Sequence, residues 1–154
     1  KNPGIWGADG FSGFCVANHT LAGRAGEVVV LRHADATTWS SWNAYAEQFA
    51  RDNGARPAHI SDGGITGPAF SDHVRRSRRP ILNSPKAQTS PLPPELVARP
   101  VVEPKVYWTW SLVWRRSEVR TAVLNTVDAL TEGLGDFGIH DSDAWLPDDD
   151  PYKQ

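Results

Sequence analysis

Val28–Gly54 reads VVVLRHADATTWSSWNAYAEQFARDNG, and this stretch decides the fold. Val28-Val29-Val30-Leu31 is apolar throughout and mostly β-branched. Such a run fits a strand buried on both faces, as in a parallel sheet covered by helices. Asp35-Ala36-Thr37-Thr38 follows, a cluster of the residue types that begin helices. Behind it Trp39, Trp42, Ala46, Phe49 and Ala50 recur at helical spacing, and Gly54 supplies a stop. The unit is strand, capped turn, helix, stop.

Working outward, the unit repeats. Pro57–Ile60 predicts a strand, Ser61–Gly67 a glycine-rich turn, and Ala69–Arg78 a helix with Phe70 and Val74 facing inward. Arg75, Arg76, Arg78 and Arg79 close that helix, where positive charge complements the dipole. Pro80–Asn83 predicts the third strand. Two βα units in succession argue for a parallel sheet. Ser84–Pro94 carries four prolines and reads as a loop, and Leu96–Val102 as a strand. Val106–Trp114 alternates, placing Val106, Trp108, Trp110, Leu112 and Trp114 on one face. Ser117 and Glu118 open a final helix with Val119, Val123, Val127 and Leu130 as its apolar stripe. Upstream, Lys1–Gly13 reads as irregular, Phe14–Ala17 as a short strand and Leu21–Gly26 as a loop. Past Gly133, six aspartates stand against one lysine, which reads as a solvated acidic tail.

Composition narrows the function. The chain has 154 residues, 16 basic and 18 acidic, for a net charge of −2. A stand-alone nucleic-acid binder needs a basic face that this balance does not supply. With 40% apolar and 22% charged residues the chain is expected to fold, as one domain or two small lobes. The single cysteine, Cys15, excludes an internal disulfide framework and a multi-cysteine metal site, and its apolar run predicts a buried, inert thiol. No run approaches the ~20 apolar residues of a membrane span, and no signal segment opens the chain. A soluble cytoplasmic protein is the expectation. There is no methionine, not even at position 1, so the chain is expected to begin by processing, truncation or incomplete coverage.

Two turns attract chemistry. Asp35–Thr38 and Gly63-Gly64-Ile65-Thr66-Gly67 both lie between a strand's carboxyl end and a helix, where open α/β sheets bind ligands. Side by side they would hold a carboxylate or phosphate, with the Thr37, Thr38 and Thr66 hydroxyls adding hydrogen bonds. Plain capping explains the same residues and weighs more on residue types alone. Among the seven tryptophans, Trp39 and Trp42 read as core. Trp108, Trp110 and Trp114 read as core or interface before a sugar-stacking platform. The five histidines form no metal-ligand spacing, and His33 with Asp35 reads as a solvated pair. No nucleophile elbow, P-loop or dinucleotide fingerprint occurs, so no catalytic residue, metal or cofactor is assigned. The arginines at 75–79 read as a helix end rather than a nucleic-acid patch.

Several stretches taken together resemble the C-terminal effector-binding region of LysR-type transcriptional regulators. They are Ala17–Arg24 (ANHTLAGR), Val106–Arg116 (VYWTWSLVWRR) with the helix behind it, and the closing Trp145–Pro151 (WLPDDDP). The resemblance implies an α/β fold like the type II periplasmic binding proteins, with a mostly parallel sheet flanked by helices. It places the second lobe at about residues 27–103, crossing strands at 14–17 and 106–114, and a terminal helix at 117–132. Residues 1–13 and the tail at 133–154 flank this effector-binding region. It implies a small-molecule effector in an interlobe cleft facing Thr37, Thr38, Trp39, Thr66, Gly67, Ser84 and Trp110. It also implies homodimers or homotetramers, no membrane, and DNA contact only through a separate N-terminal domain. Neither that domain nor the opening βαβα segment of the first lobe has a counterpart in Lys1–Gly13, so the first lobe is expected to be incomplete.

Overall fold

A computed structural model describes residues 11–12, 14–17, 23–83, 92–109, 112–132 and 138–153 of the chain. In chain order the strands are β1 (Phe11–Ser12), β2 (Phe14–Ala17), β3 (Gly23–Arg24), β4 (Val29–His33), β5 (Arg56–Ile60) and β6 (Ile81–Leu82). After these come β7 (Val97–Val102), β8 (Lys105–Trp108) and β9 (Ala144–Trp145). The helices are α1 (Ser40–Asn53), α2 (Gly67–Arg76) and α3 (Thr121–Thr131), with a 3-10 turn at Ala25–Glu27. Among the described residues the strands form two sheets, β3-β7-β2-β6-β4-β5 and β1-β8-β9.

The α/β reading of Val28–Gly54 holds, and packing explains why. A 14-residue helix is marginal alone. In α1, Trp42, Tyr45, Ala46, Phe49 and Ala50 are all buried, and the helix lies against β4 and β5. At roughly 1.5–3 kcal/mol for each large apolar side chain buried, that face outweighs the ordering cost that would melt the isolated helix. Gly54 ends α1 with φ +69°, a conformation glycine adopts without the Cβ clash. β4 and β5 run parallel, with Val29 opposite Arg56 and His33 opposite Ile60. β6 is parallel to β4 on its other side, with Ile81 opposite Val29.

β2 lies between β6 and β7, antiparallel to both. β7 therefore points the same way as β4, β5 and β6, and the larger sheet is mostly parallel. Only residue 13 separates β1 from β2, and only Glu103 and Pro104 separate β7 from β8. Because β2 pairs with β7 and β1 with β8, these four strands form one bent antiparallel ribbon. With Phe14 opposite Pro100, the ribbon leaves the larger sheet at the carboxyl edge of the parallel strands.

The structure moves several boundaries. Phe11–Ser12, inside the segment read as irregular, is strand β1. Gly23–Arg24, inside the stretch read as a loop, is strand β3 beside β7. The 106–114 strand stops at Trp108, because its described partners reach no further: Phe11 stands opposite Trp108, and Trp145 opposite Val106. Val113 is 78% exposed rather than packed on a strand face. α3 begins at Thr121, not Ser117, because Glu118 diverts the backbone. Its Oε1 accepts from the Val119 and Arg120 N–H groups, and its carboxylate pairs with the Arg120 guanidinium. That pairing draws the Glu118 carboxyl down to about 2. Val119 is consequently 83% exposed, and no residue of α3 is buried.

The largest correction concerns the acidic tail. Ala144–Trp145 is a strand parallel to β8, and Leu146 is buried. The Trp145 ring meets Tyr45 at 5.3 Å and Phe49 at 5.4 Å, both edge-on, and Trp108 meets Tyr45 at 4.8 Å. One tryptophan and one leucine within an aspartate-rich stretch are enough to tie it to α1.

Candidate functional site

Strand order locates the place to look. β4 leads through α1 to β5 on one side, whereas β6 leads toward β7 on the other. Adjacent strands whose connections diverge make a topological switch point, and their carboxyl tips leave a crevice that helices do not fill. Here that point lies between the tips of β4 and β6. The turn after β4, the turn after β5 and the exit of the bent ribbon all share this edge.

Asn43 and His33 set the geometry. The buried Asn43 side chain, on α1, brackets the end of β4: its Oδ1 accepts from the His33 N–H and its Nδ2 donates to the His33 carbonyl, both at 2.9 Å. The His33 ring is thereby held between the two turns. Its Nδ1 lies 2.9 Å from the Asp35 backbone nitrogen and its Nε2 3.3 Å from that of Gly63. A neutral imidazole accepts at one nitrogen only. Both contacts are backbone N–H groups aimed at a ring nitrogen, so the neutral ring takes one of the two bonds at a time. Trp39 closes the other side of the ring, with centroids 5.9 Å apart. Sequence reasoning had His33 as half of a solvated pair with Asp35. The ring instead meets the Asp35 backbone and reaches across to the second turn.

The first turn is capped from within. Asp35 Oδ1 accepts from the Thr37 N–H at 3.0 Å and the Thr38 N–H at 3.1 Å. Bonding to the Thr38 hydroxyl and to these amides holds the Asp35 carboxyl below its ordinary value. Helix α1 then starts at Ser40, with Trp39 half-buried at its N-cap. Thr37 and Thr38 are exposed. The second turn follows the same logic. Asp62 Oδ1 accepts from the Gly64 N–H at 3.0 Å and lies 3.1 Å from His73 Nε2. Bonding to His73 and to the Gly64 amide holds the Asp62 carboxyl low. Gly64 is the residue this arrangement requires, since a Cβ there would collide with the His73 ring. Thr66 is half-buried at the N-cap of α2 with no side-chain capping bond, Gly67 has φ +70°, and Pro68 brings no N–H.

The structure therefore brings Thr37, Thr38 and Trp39 to the same edge as Thr66 and Gly67, on neighbouring strands, with His33 between the turns. Ser84 and Trp110 lie outside the described residues. The sequence reading missed two features. The amides of Thr37, Thr38 and Gly64 are already occupied by the chain's own carboxylates. And Asn83, at the tip of β6, is 6% exposed with neither its Oδ1 nor its Nδ2 hydrogen-bonded. A polar residue ending a short apolar strand was the available signal, but burial is not written in residue type.

A second depression lies elsewhere, between α1 and the closing segment, with a volume of about 360 Å³. Tyr45, Gln48 and Trp108 line it together with Asp148–Asp150. Two of its three carboxylates are engaged: Asp148 pairs with Lys153, and Asp150 accepts from the Thr109 hydroxyl and the Tyr152 N–H. Burial, with the Asp150 charge behind it, pushes the Tyr45 hydroxyl up. Among the described residues no group of His, Cys, Asp and Glu is placed to hold a metal ion, and no helix is long and apolar enough to cross a membrane. Comparison with family models, with curated proteins and with solved structures finds no match for this chain.

Proposed function

We propose that the chain is an effector-binding unit of a LysR-type transcriptional regulator and that it senses a small polar molecule without chemical turnover. In this reading the effector sits at the carboxyl edge of the parallel strands, between this unit, built like one lobe of a type II periplasmic binding protein, and a second lobe. A separate N-terminal domain carries the DNA contact, and subunits assemble as dimers or tetramers. The observation that carries the reading is the convergence of five features on one edge: the two threonine-bearing turns, the switch point, and both passages of the bent ribbon. A ligand held where the chain crosses between two bodies biases how they close, by as much as it prefers one arrangement over the other. The apolar residues left exposed on α3, Leu124 and Leu130, also suit a unit completed by another body.

The electrostatics favour the polar branch of the expectation over the anionic one. Asp35 and Asp62 place two carboxylates in the turns and occupy the amides that an anion would need. What remains on offer is the hydroxyls of Thr37 and Thr66 and the acceptor lone pairs of the Thr38 hydroxyl, which itself donates to Asp35. Those groups recognise hydroxyl, carbonyl and amide functions. The test is a thermal-shift screen of the full chain with lactams, nucleobases, sugars and neutral amino acids beside acetate and inorganic phosphate. A ligand that prefers the folded state raises Tm by mass action. For a neutral compound that raises it, Thr38→Ala and Thr66→Ala should each weaken calorimetric affinity about threefold to tenfold, the worth of one hydrogen bond. Wild-type affinity in both variants refutes the site.

The Asp62–His73 pair favours a second reading, an enzyme on the same scaffold, because a carboxylate-oriented imidazole is the usual form of a general base. Turnover of a bound compound, lost in His73→Gln, would establish it in place of the first.

A further inference from the structure

Among the described residues the buried side-chain atoms without a hydrogen-bond partner are Arg32 Nε, on a guanidinium that Glu47 pairs, and both polar atoms of Asn83, which nothing pairs. Asn83 follows β6 directly at the switch point between β6 and β4, whose register sets Ile81 opposite Val29. Its residue is 94% buried, being 6% exposed, and neither Nδ2 nor Oδ1 has a hydrogen-bond partner. Native proteins pair such groups, and an orphaned carboxamide is disfavoured enough to be replaced by an apolar residue of the same size unless something outside the chain satisfies it. The contrast with Asn43 is direct. That residue is buried to the same degree at the neighbouring strand tip, and both of its amide functions are used on the His33 backbone. Asn43 is structural. Asn83 has no such duty.

We propose that Asn83 is the specificity-determining group of this edge and that it recognises a ligand presenting a donor and an acceptor side by side, as in a lactam, a primary amide or the amide edge of a nucleobase. A carboxamide offers one carbonyl acceptor and two N–H donors in one plane, so its natural complement is another planar donor–acceptor edge. Two such bonds made away from water discriminate strongly, because an analogue lacking one partner leaves the other group unpaired. The inference rests on the reading of this edge as an effector seat, and narrows the effector class within it. It also accounts for a polar residue at the end of an otherwise fully buried β6.

The experiment uses the full chain, uniformly 15N-labelled, with the Asn83 side-chain NH2 pair and the Thr38 and Gly67 backbone amides assigned on the wild type. Four probes are titrated: 2-pyrrolidone, which carries the donor–acceptor edge; N-methyl-2-pyrrolidone, which lacks the donor; acetate; and inorganic phosphate. Saturable shifts of the Asn83 NH2 pair with 2-pyrrolidone are expected, with affinity at least about tenfold weaker for the N-methyl analogue and for Asn83→Leu, the worth of one or two bonds. An Asn83 pair that shows contact with a long-lived water and does not move with 2-pyrrolidone overturns the inference. So does equal affinity for the two lactams, or wild-type affinity in Asn83→Leu. Response of Thr38 and Gly67 to acetate or phosphate with Asn83 silent overturns it while leaving the edge as a ligand site. Silence of all three groups toward every probe overturns it together with that reading.

Discussion

Trp145→Ala measures how much of the fold depends on the aspartate-rich closing segment. The Trp145 ring meets Tyr45 at 5.3 Å and an interplanar angle of 78°, and Phe49 at 5.4 Å and 77°. Edge-to-face pairs contribute about 0.5–1.5 kcal/mol each beyond simple burial, so the two give about 1–3 kcal/mol. Removing a fully buried Trp costs about 3–5 kcal/mol. Trp145 is only half-buried, which sets the expectation near the bottom of that range, about 2–3 kcal/mol. The bond from its Nε1 to Asp52 Oδ2, 3.2 Å long and solvent-exposed, adds little. For a chain of this length about 2–4 °C of Tm is lost per kcal/mol, so the variant should unfold about 4–12 °C earlier. Far-UV circular dichroism against temperature reads this directly. Trp145→Phe, which keeps one ring of the contact, should recover part of the loss. A Tm within about 2 °C of wild type for the alanine variant would refute the reasoning, because it would mean that the closing segment is not joined to α1 in solution.

Gly64→Ala should lower stability by about 1–3 kcal/mol, since the added methyl displaces the His73 ring and with it the Asp62 contact. Chemical denaturation checks it, and an unchanged midpoint refutes the collision. Cys15 is fully buried, with its thiol pushed up by burial to about 11, so iodoacetamide at mildly alkaline pH should label only the unfolded chain. Rapid stoichiometric labelling of the native protein would contradict that. Asp35 and Asp62 titrate below the ordinary aspartate value of about 3.9, so their hold on the turns is complete above it and lost as the pH falls through the lower native values. The Thr38 and Gly64 amide shifts should therefore move with midpoints under about 3.9, and midpoints at or above that value would show the carboxylates unbonded.

The βαβ frame was legible because its signals are local and redundant. Val28–Leu31 reports a strand by side-chain type, Trp42, Ala46 and Phe49 report a buried helical face by spacing, and Gly54 reports a stop. Each of the three agrees with the other two. Where the reading erred, one residue's side chain overrode the pattern around it. Glu118 satisfies the Val119 and Arg120 amides and so delays α3 to Thr121. Trp145 carries enough contact area to anchor a stretch whose charge alone says solvent. Neither effect has a period, so no periodicity reveals it.

The candidate site divides along the same line. That the turns at Thr37–Thr38 and Thr66–Gly67 lie together follows from two consecutive βα units, because parallel neighbours carry their carboxyl ends on one edge. What those turns offer a ligand does not follow, because it depends on which hydrogen bonds the chain keeps for itself. Helix N-terminal amides make such turns look like anion sites from the sequence, and Asp35 and Asp62 stand among those amides. In the fold these two carboxylates are the groups that take the amides an anion would have used. The same accounting applied to the two buried carboxamides leaves Asn43 satisfied and Asn83 not. Recognition at this edge is therefore better sought in the group the chain fails to pair than in the turns it has already capped, and the chemistry of that group, a carboxamide, argues for a neutral partner.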